Sequence, residues 1–413
     1  MKINNFSLLF LAALALMIVL RLILAWRQIS HVMRHRSEVP TQFAGRVEIA
    51  AHQKAADYAI DRTRFGVLRL AVEILLLLAF TFAGGLQALH DFWSLRLSGL
   101  AYDIALVFSV MFVSGIVDLP FSLYSQFVIE EKFGFNRMTL RLFVADLAKQ
   151  AALGMVIGTP VLTAVLWLMA QRSSYWWLHV WLFWCGFNLL ILFVYPSWIA
   201  PLFNKFTPLD DEPLKARIQA LLQRCGFAAS GLFVMDGSKR SNHGNAYFTG
   251  FGKTKRIVFF DTLLGRLQPV EVEAVLAHEL GHFKHRHVIK RIVLIFGLSL
   301  AFLAALGQAI DADWFFYGLG VTTKNMALAL ILFFLVVPVF TFIFTPVTSL
   351  ISRRHEYEAD RYAADHASAA SLIEALVKLY EDNASTLTPD PLHSLFYDSH
   401  PPAALRIARL NEC

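Results

Sequence analysis

In the segment Ala277-His278-Glu279-Leu280-Gly281-His282, two histidines stand four residues apart and a glutamate follows the first directly. On an α-helix, residues i and i+4 share one face, so both imidazoles can reach a single ion. Paired imidazoles of this kind bind Zn2+, and the carboxylate between them takes a proton from the attacking water in metal-assisted hydrolysis. In a chain of this composition H-E-x-x-H arises by chance roughly 0.02 times. Two histidines and a glutamate buried together with no ion would be a costly structural choice. His278 and His282 are therefore expected to be metal ligands and Glu279 the catalytic base, with one Zn2+ per chain.

A hydrolytic zinc needs a third protein ligand and one open position. The extended metzincin pattern would place a glycine and then a histidine further along the same helix. Here His285 and Val288 occupy those positions, which excludes that class. A downstream carboxylate is the other common solution, and Arg353-Arg354-His355-Glu356-Tyr357-Glu358-Ala359-Asp360 offers two. Glu356 and Asp360 are four apart on one helical face, so one can bind the ion while the other orients a ligand. Glu358 projects about 160° away from that pair and is expected to be solvated. The competing reading of this stretch is a charged helix leaving a membrane.

The elements that must position these residues follow from patterning. Glu271 to Val288 reads as a helix, with Glu271 and Glu273 in its first turn, where the dipole favours acids. Leu232–Met235 and Ile257–Phe260 read as short strands, and Pro213 to Cys225 as an amphipathic helix. His243, His285 and His287 are expected near the site without binding the ion, because three ligands are already available.

These soluble segments are set in an apolar chain. Of 413 residues, 57% are hydrophobic and 16% charged, and the mean hydropathy is +0.53. Such values belong to membrane proteins. Seven apolar stretches reach the roughly 20 residues that cross a bilayer: 5–26, 67–89, 100–120, 151–170, 176–198, 292–310 and 327–351. The first is long, lacks a small-residue cleavage site and reads as an anchor. Organisation is expected as 1–200 (five spans with their loops), 201–291 (peptidase core), 292–351 (two spans) and 352–413 (third-ligand helix and tail). Lys and Arg crowd the loops after spans one, three and five, whereas Arg96, Arg172 and Lys324 mark the others. The positive-inside rule then puts the amino terminus outside, and the carboxyl terminus and site on the cytoplasmic side. The net charge of +6 belongs to this loop pattern, and no nucleic-acid partner is expected. Glu73, Asp103 and Asp118 fall in or beside spans and should be paired or wet. The spacing of Cys185, Cys225 and Cys413 fits neither a zinc ribbon nor a disulfide framework.

Further segments make the pattern specific: Val128-Ile129-Glu130-Glu131-Lys132-Phe133-Gly134-Phe135-Asn136, Asn245-Ala246-Tyr247-Phe248, Lys255-Arg256-Ile257-Val258, Phe260-Asp261-Thr262-Leu263, Glu356-Tyr357-Glu358-Ala359-Asp360, and His400-Pro401-Pro402 with Arg406. Together they resemble the type I CAAX prenyl protease family of integral-membrane zinc metallopeptidases, over nearly the whole chain. Heat-shock membrane proteases of the HtpX type are more distant relatives. The resemblance implies an all-α integral-membrane fold of seven transmembrane helices around a water-filled chamber. It also implies a zincin-like peptidase domain with a small β-sheet or hairpin on the cytoplasmic side.

The resemblance makes Glu356 the third zinc ligand and places Asp360 behind the ligands. Asn245 and His400 would stabilise the oxyanion, and Arg406 would shape the site or meet substrate polar groups. The segment of Asn245, Ala246 and Tyr247 would offer a strand edge to an extended peptide. His355 departs from the aromatic usual in the family, and Glu358 from the usual amide. The expected partners are peptide or protein substrates, lipid-modified ones among them, and the bilayer. A bacterial-type plasma membrane is favoured over the endoplasmic reticulum by the compact loops and tail. Two other readings remain at this stage. One is a quality-control protease for membrane proteins, with the same chemistry. The other is a metal-binding transporter, for which inverted repeats would be expected; no repeat is evident, and Pro338 and Pro346 are the clearest helix breakers.

Overall fold

The computed structural model describes residues 3–171, 173–249 and 256–413. Arg172 and Lys255, which figured in the loop charges and in one motif, lie outside the described residues. Six described helices are long and apolar enough to cross a membrane, or seven if one bent pair counts as a single span. Four of the six come first in the chain, built on α1 (Asn5–Arg34), α4 (Gly99–Tyr124), α5 (Leu140–Ala170) and α6 (Trp176–Val194), and the bent pair is α2 (Ile49–Phe80) with α3 (Gly85–Ser94); the other two follow the sheet, over His287–Ala309 and Met326–His366.

The α2–α3 pair departs from the continuous span expected over 67–89: it breaks after Phe80 and bends by 49°. Glycine permits the break. Gly84 has φ +79°, and a Cβ on Gly85 would lie 2.6 Å from the Ala79 carbonyl oxygen. In five of the six long helices only 11–22% of the apolar window is buried. Their hydrophobic sides face outward, where lipid must cover them. The three acidic residues expected in or beside the spans are paired. Arg69 bridges Glu73 (3.1 Å) and Asp118 (2.7 Å), and Asn325 donates to Asp103 (2.9 Å).

After α6 the chain forms β1 (Phe206–Pro208), α7 (Glu212–Arg224), β2 (Gly231–Met235), β3 (Ala246–Thr249) and β4 (Arg256–Phe260). The sheet order is β1-β2-β4-β3, with the β2–β4 pair parallel and the other two antiparallel. This places β3 at one edge. Next come α8 (Pro269–Lys284), α9 (His287–Ala309), α10 (Met326–Thr341) and α11 (Thr345–His366). The chain closes with α12 (Ala369–Asp382), α13 (Pro391–Tyr397) and α14 (Ala403–Leu410).

The helix expected to run to Val288 ends instead at Lys284. Arg286 takes a left-handed conformation, φ 56°, and α9 starts at His287. One hydrophobic core joins the sheet, α7, α8, α11, α12 and α14, with Ile218, Phe259, Ala277 and Ala363 fully buried in it. A second core lies among the membrane helices and centres on α10. The peptidase segments on either side of α9 and α10 are thus one packed unit, and the site lies inside it.

Candidate active site

Helix α8 is locked at its amino-terminal end. Pro269 occupies the first turn, and Gln268 and Glu271 form a reciprocal capping box in which the Gln268 N–H donates to Glu271 Oε2 at 2.7 Å. Lys378 of α12 donates to both oxygens of Glu271 (2.7 and 2.8 Å). Glu273, expected to serve only the dipole, accepts from Arg217 and Arg224 and so ties α8 to α7.

Halfway along α8, the glycine within the H-E-x-x-H sequence sets its distance from α11. A Cβ on Gly281 would sit 2.9 Å from the Ala359 Cα. With only hydrogen there, α8 lies directly on α11, and two residues apart by 78 positions in the chain, His278 and Glu356, become neighbours.

The metal-binding geometry follows from that contact. His278 Nε2 and His282 Nε2 are 3.2 Å apart. Glu356 Oε2 is 3.5 Å from the first and Glu356 Oε1 is 3.4 Å from the second. The three side chains form a group able to hold one metal ion. A tetrahedral ion with bonds of about 2.0–2.1 Å separates its donors by roughly 3.3–3.4 Å, close to these spacings. Glu356 Oε2 is also buried without a hydrogen-bond donor, with only the Arg406 guanidinium 3.5 Å away on one side, an arrangement that a bound cation would complete. The donor set therefore fits a metal.

Each imidazole is held from behind. His278 Nδ1 lies 2.8 Å from Asp360 Oδ1, and Arg406 donates to the same carboxylate through Nε (2.8 Å) and Nη2 (2.6 Å). A carboxylate on Nδ1 keeps a proton there and leaves Nε2 as the free lone pair. All three side chains are buried. Burial disfavours the His278 imidazolium, but the Asp360 carboxylate on Nδ1 and the Glu356 carboxylate beside Nε2 outweigh that and push its pKa up to about 9. The site thus attracts one positive charge, as a proton or as a metal. Burial likewise opposes the charge on Arg406, yet the Asp360 carboxylate holds it firmly protonated.

His282 has a different support, which sequence reasoning missed. Its Nδ1 is 3.0 Å from His287 Nδ1, and His287 Nε2 is 2.9 Å from Glu358 Oε2. Glu358 is therefore not simply solvated as expected. It points away from Glu356 and Asp360, and the start of α9 meets it there. The turn at Arg286 swings His287 into this position. The ring of His355 stacks on His287 at 4.0 Å, so a histidine fills the place where the family pattern has an aromatic. The available signal was the histidine five residues beyond His282.

Glu279 is half-buried next to His278. Burial raises its pKa above the ordinary carboxylate range, while the His278 and His282 imidazoles pull it down. His400 enters from the tail, its Nε2 3.4 Å from Glu356 Oε1.

Asn245 is exposed at the start of the edge strand. Its side-chain oxygen accepts from the Ala246 N–H at 2.8 Å, and its backbone carbonyl accepts from the Phe260 N–H at 2.9 Å. By the alternation of antiparallel pairing, the Ala246 and Phe248 backbones then turn toward the open edge. The Ala246 side chain is buried, and the Tyr247 hydroxyl is 3.9 Å from Met235 Sδ. The helical continuation of α4 to Lys132 steadies this segment: Glu130 accepts from the Tyr58 hydroxyl (2.6 Å) and lies 3.5 Å from His243 Nε2. That contact places His243 away from the metal-binding group. His285 stacks on His287 and is not among the three donors.

Comparison with known proteins agrees with this architecture. Residues 28–205 match the family model for the CAAX prenyl protease N-terminal region of five membrane helices, and residues 208–413 match that of peptidase family M48. CAAX prenyl protease 1 of Saccharomyces cerevisiae is 40% identical over 322 residues, which are 72% of this chain and 70% of the relative. The Arabidopsis thaliana homolog is 35% identical over 389 residues, 90% of each chain. The Homo sapiens homolog is 33% identical over 445 residues, covering 94% of this chain and 91% of the relative. The crystal structure of S. mikatae Ste24p is similar with a TM-score of 0.92 at 30% identity, over 99% of this chain and 100% of that one. The chain therefore belongs to peptidase family M48, and it is a multi-pass membrane metalloprotease.

Proposed function

We propose that this chain is a zinc endopeptidase that cuts a peptide bond near the carboxyl terminus of CAAX-type, prenylated substrates. The observation that carries the reading is the spacing of His278, His282 and Glu356, which suits one tetrahedral ion, combined with family membership. Nitrogen ligands with one carboxylate favour zinc, and two imidazoles with one glutamate leave its fourth position open. When bound, zinc polarises the scissile carbonyl and lowers the pKa of the attacking water toward about 7.

The chain's own residues supply the rest. Asp360 and His287 fix the ring orientations of His278 and His282. Glu279 takes the proton of the attacking water and passes it to the leaving amine. Its carboxyl, raised by burial, is the better matched to that exchange. Asn245 and His400 donate to the oxygen on which charge develops. The substrate lies along the β3 edge, where the Ala246 and Phe248 backbones are turned outward, and Asn245 releases the Ala246 N–H as the peptide arrives.

We count the α2–α3 pair as one span, which gives seven and puts the termini on opposite sides. The basic end of α1 and the basic loop before α5 support a cytoplasmic site, since they contact the peptidase unit itself. Arg27 pairs with Asp390 at 2.8 Å, and Arg137 donates to Asn242 at 2.9 Å.

The test is to purify wild type and Glu279→Gln in detergent, measure metal per chain, and assay both on a farnesylated CAAX peptide and its unprenylated twin. One zinc in each, with cleavage by the wild type alone, is the expected result. Equal cleavage of the two peptides would favour general quality control over CAAX processing. Absence of zinc would defeat the reading.

A further inference from the structure

A cavity of about 720 Å³ opens beside His400, between α1, α2 and the segment following α12. The chemistry described so far does not use it. Three arginines line it, Arg21, Arg62 and Arg69, against two carboxylates, Glu73 and Asp398. Arg69 is already neutralised by Glu73 and Asp118. The other two arginines make no direct ion pair. Arg62 lies over the Tyr58 ring and donates to its hydroxyl at 3.5 Å, and the Glu130 carboxylate is met only beyond that hydroxyl. Arg21 projects from the apolar helix α1, its guanidinium 4.8 Å from the Phe342 ring centre, and its Nε is buried without a hydrogen-bond partner. Among the described residues neither has a carboxylate within ion-pair distance.

Such an arrangement is expensive. A guanidinium carries five N–H donors, and an aromatic face satisfies none of them as a carboxylate would. An ionisable residue in an apolar helix without a partner points to a ligand that supplies one. Two guanidinium groups on one cavity suit a planar anion such as a carboxylate, which they bind in a fork.

The position of the cavity identifies which carboxylate. His400 lines it and lies 3.4 Å from Glu356, next to the metal-binding group. A peptide cut near its end sends the residues beyond the cut past His400. Three extended residues reach about 10 Å, and they end in an α-carboxylate. A cavity of this size is in the range that holds such a segment.

We propose that Arg21 and Arg62 form a receptor for the free α-carboxylate of the substrate, so that the cut is measured from the end of the chain. The proposal rests on the peptidase reading above and names the part of the substrate that the site recognises.

The test uses full-length protein in detergent and one farnesylated CAAX peptide made in two forms, with a free carboxylate and with a terminal amide. Binding of each to the Glu279→Gln variant is followed by fluorescence anisotropy, and cleavage of each by the wild type is measured alongside. The acid should bind about 10- to 100-fold more tightly than the amide, as charged hydrogen bonds warrant. Adding Arg62→Gln or Arg21→Gln should bring that ratio toward one, and Arg62→Lys should restore part of it. Arg62 is the safer variant to produce, since Arg21 sits in a packed membrane helix.

Equal binding of acid and amide to the Glu279→Gln variant overturns the receptor, as does binding of neither. An arginine variant that weakens both forms equally also overturns it, because that is the mark of a structural role. Cleavage of acid and amide at equal rates removes the receptor and leaves the peptidase assignment standing. Cleavage of neither by the wild type removes the peptidase assignment, while the binding ratio still decides the receptor.

Discussion

Replacing Asp360 by asparagine separates two roles that the structure gives one carboxylate. Asp360 accepts from Arg406 twice, at 2.8 and 2.6 Å, and lies 2.8 Å from His278 Nδ1. Asparagine keeps the shape but removes the charge and turns one acceptor into a donor. Loss of a carboxylate behind a metal-ligating histidine typically lowers metal affinity 10- to 100-fold, which is about 1.4–2.8 kcal/mol. The second cost falls on Arg406, buried and fully charged, which is left with only Glu356 at 3.5 Å. Breaking a buried pair from one side costs about 3–5 kcal/mol; the remaining Glu356 contact puts the expectation near the lower figure.

The two costs can be measured apart. Zinc affinity is read by competition with a chelator, and stability by thermal unfolding of the metal-free protein. Combining Asp360→Asn with Arg406→Met should recover much of the stability, since no charge is left unpaired, and none of the zinc affinity. If Asp360→Asn binds zinc as the wild type does, the claim that Asp360 orients His278 is refuted. If the double variant is less stable than the single one, the account of Arg406 is refuted.

Other expectations follow from the same geometry. Gly281→Ala would place a methyl 2.9 Å from the Ala359 Cα; it should destabilise the protein by about 1–3 kcal/mol and lower zinc affinity, and Ala359→Gly in the same chain should relieve part of the loss in a thermal-shift assay. In the metal-free protein His278 holds its proton up to about pH 9, so zinc must displace it: affinity should rise with pH up to that value, with protons released on binding, measurable by calorimetry in buffers of different ionisation heat. The sign is set by the raised pKa, because below it the proton competes with zinc and above it there is none to displace. Asn245→Ala should lower kcat about 100- to 1000-fold with metal content unchanged; a change confined to KM in steady-state kinetics would mean that Asn245 positions the strand edge without meeting the oxyanion.

Much of the site was legible because its central parts are local. His278, Glu279 and His282 lie within one helical turn and a half, and spacing alone sets their relation. Glu356 and Asp360 share a face for the same reason, although spacing alone left open which of them stands with the two histidines. The apolar runs were equally readable, because the bilayer imposes a length on each helix. The break in α2–α3 was less so: Gly84 and Gly85 permit the bend, but only the packing around them requires it.

What the tertiary structure decided is everything that depends on contact between distant segments. Gly281 against Ala359 brings two helices close enough for three donors to share an ion, and no local pattern reveals which glycine meets which alanine. The left-handed turn at Arg286 redirects His287 onto His282 and gives Glu358 a partner. Arg406, near the end of the chain, reaches Asp360 because α14 packs into the same core. The unpaired charge of Arg21 also became visible only in three dimensions, since a sequence shows that an arginine is present but not whether a carboxylate stands within reach. Periodicity and hydropathy are properties of neighbouring residues along the chain and can be read from it; a metal site and a cavity are properties of residues made neighbours by folding.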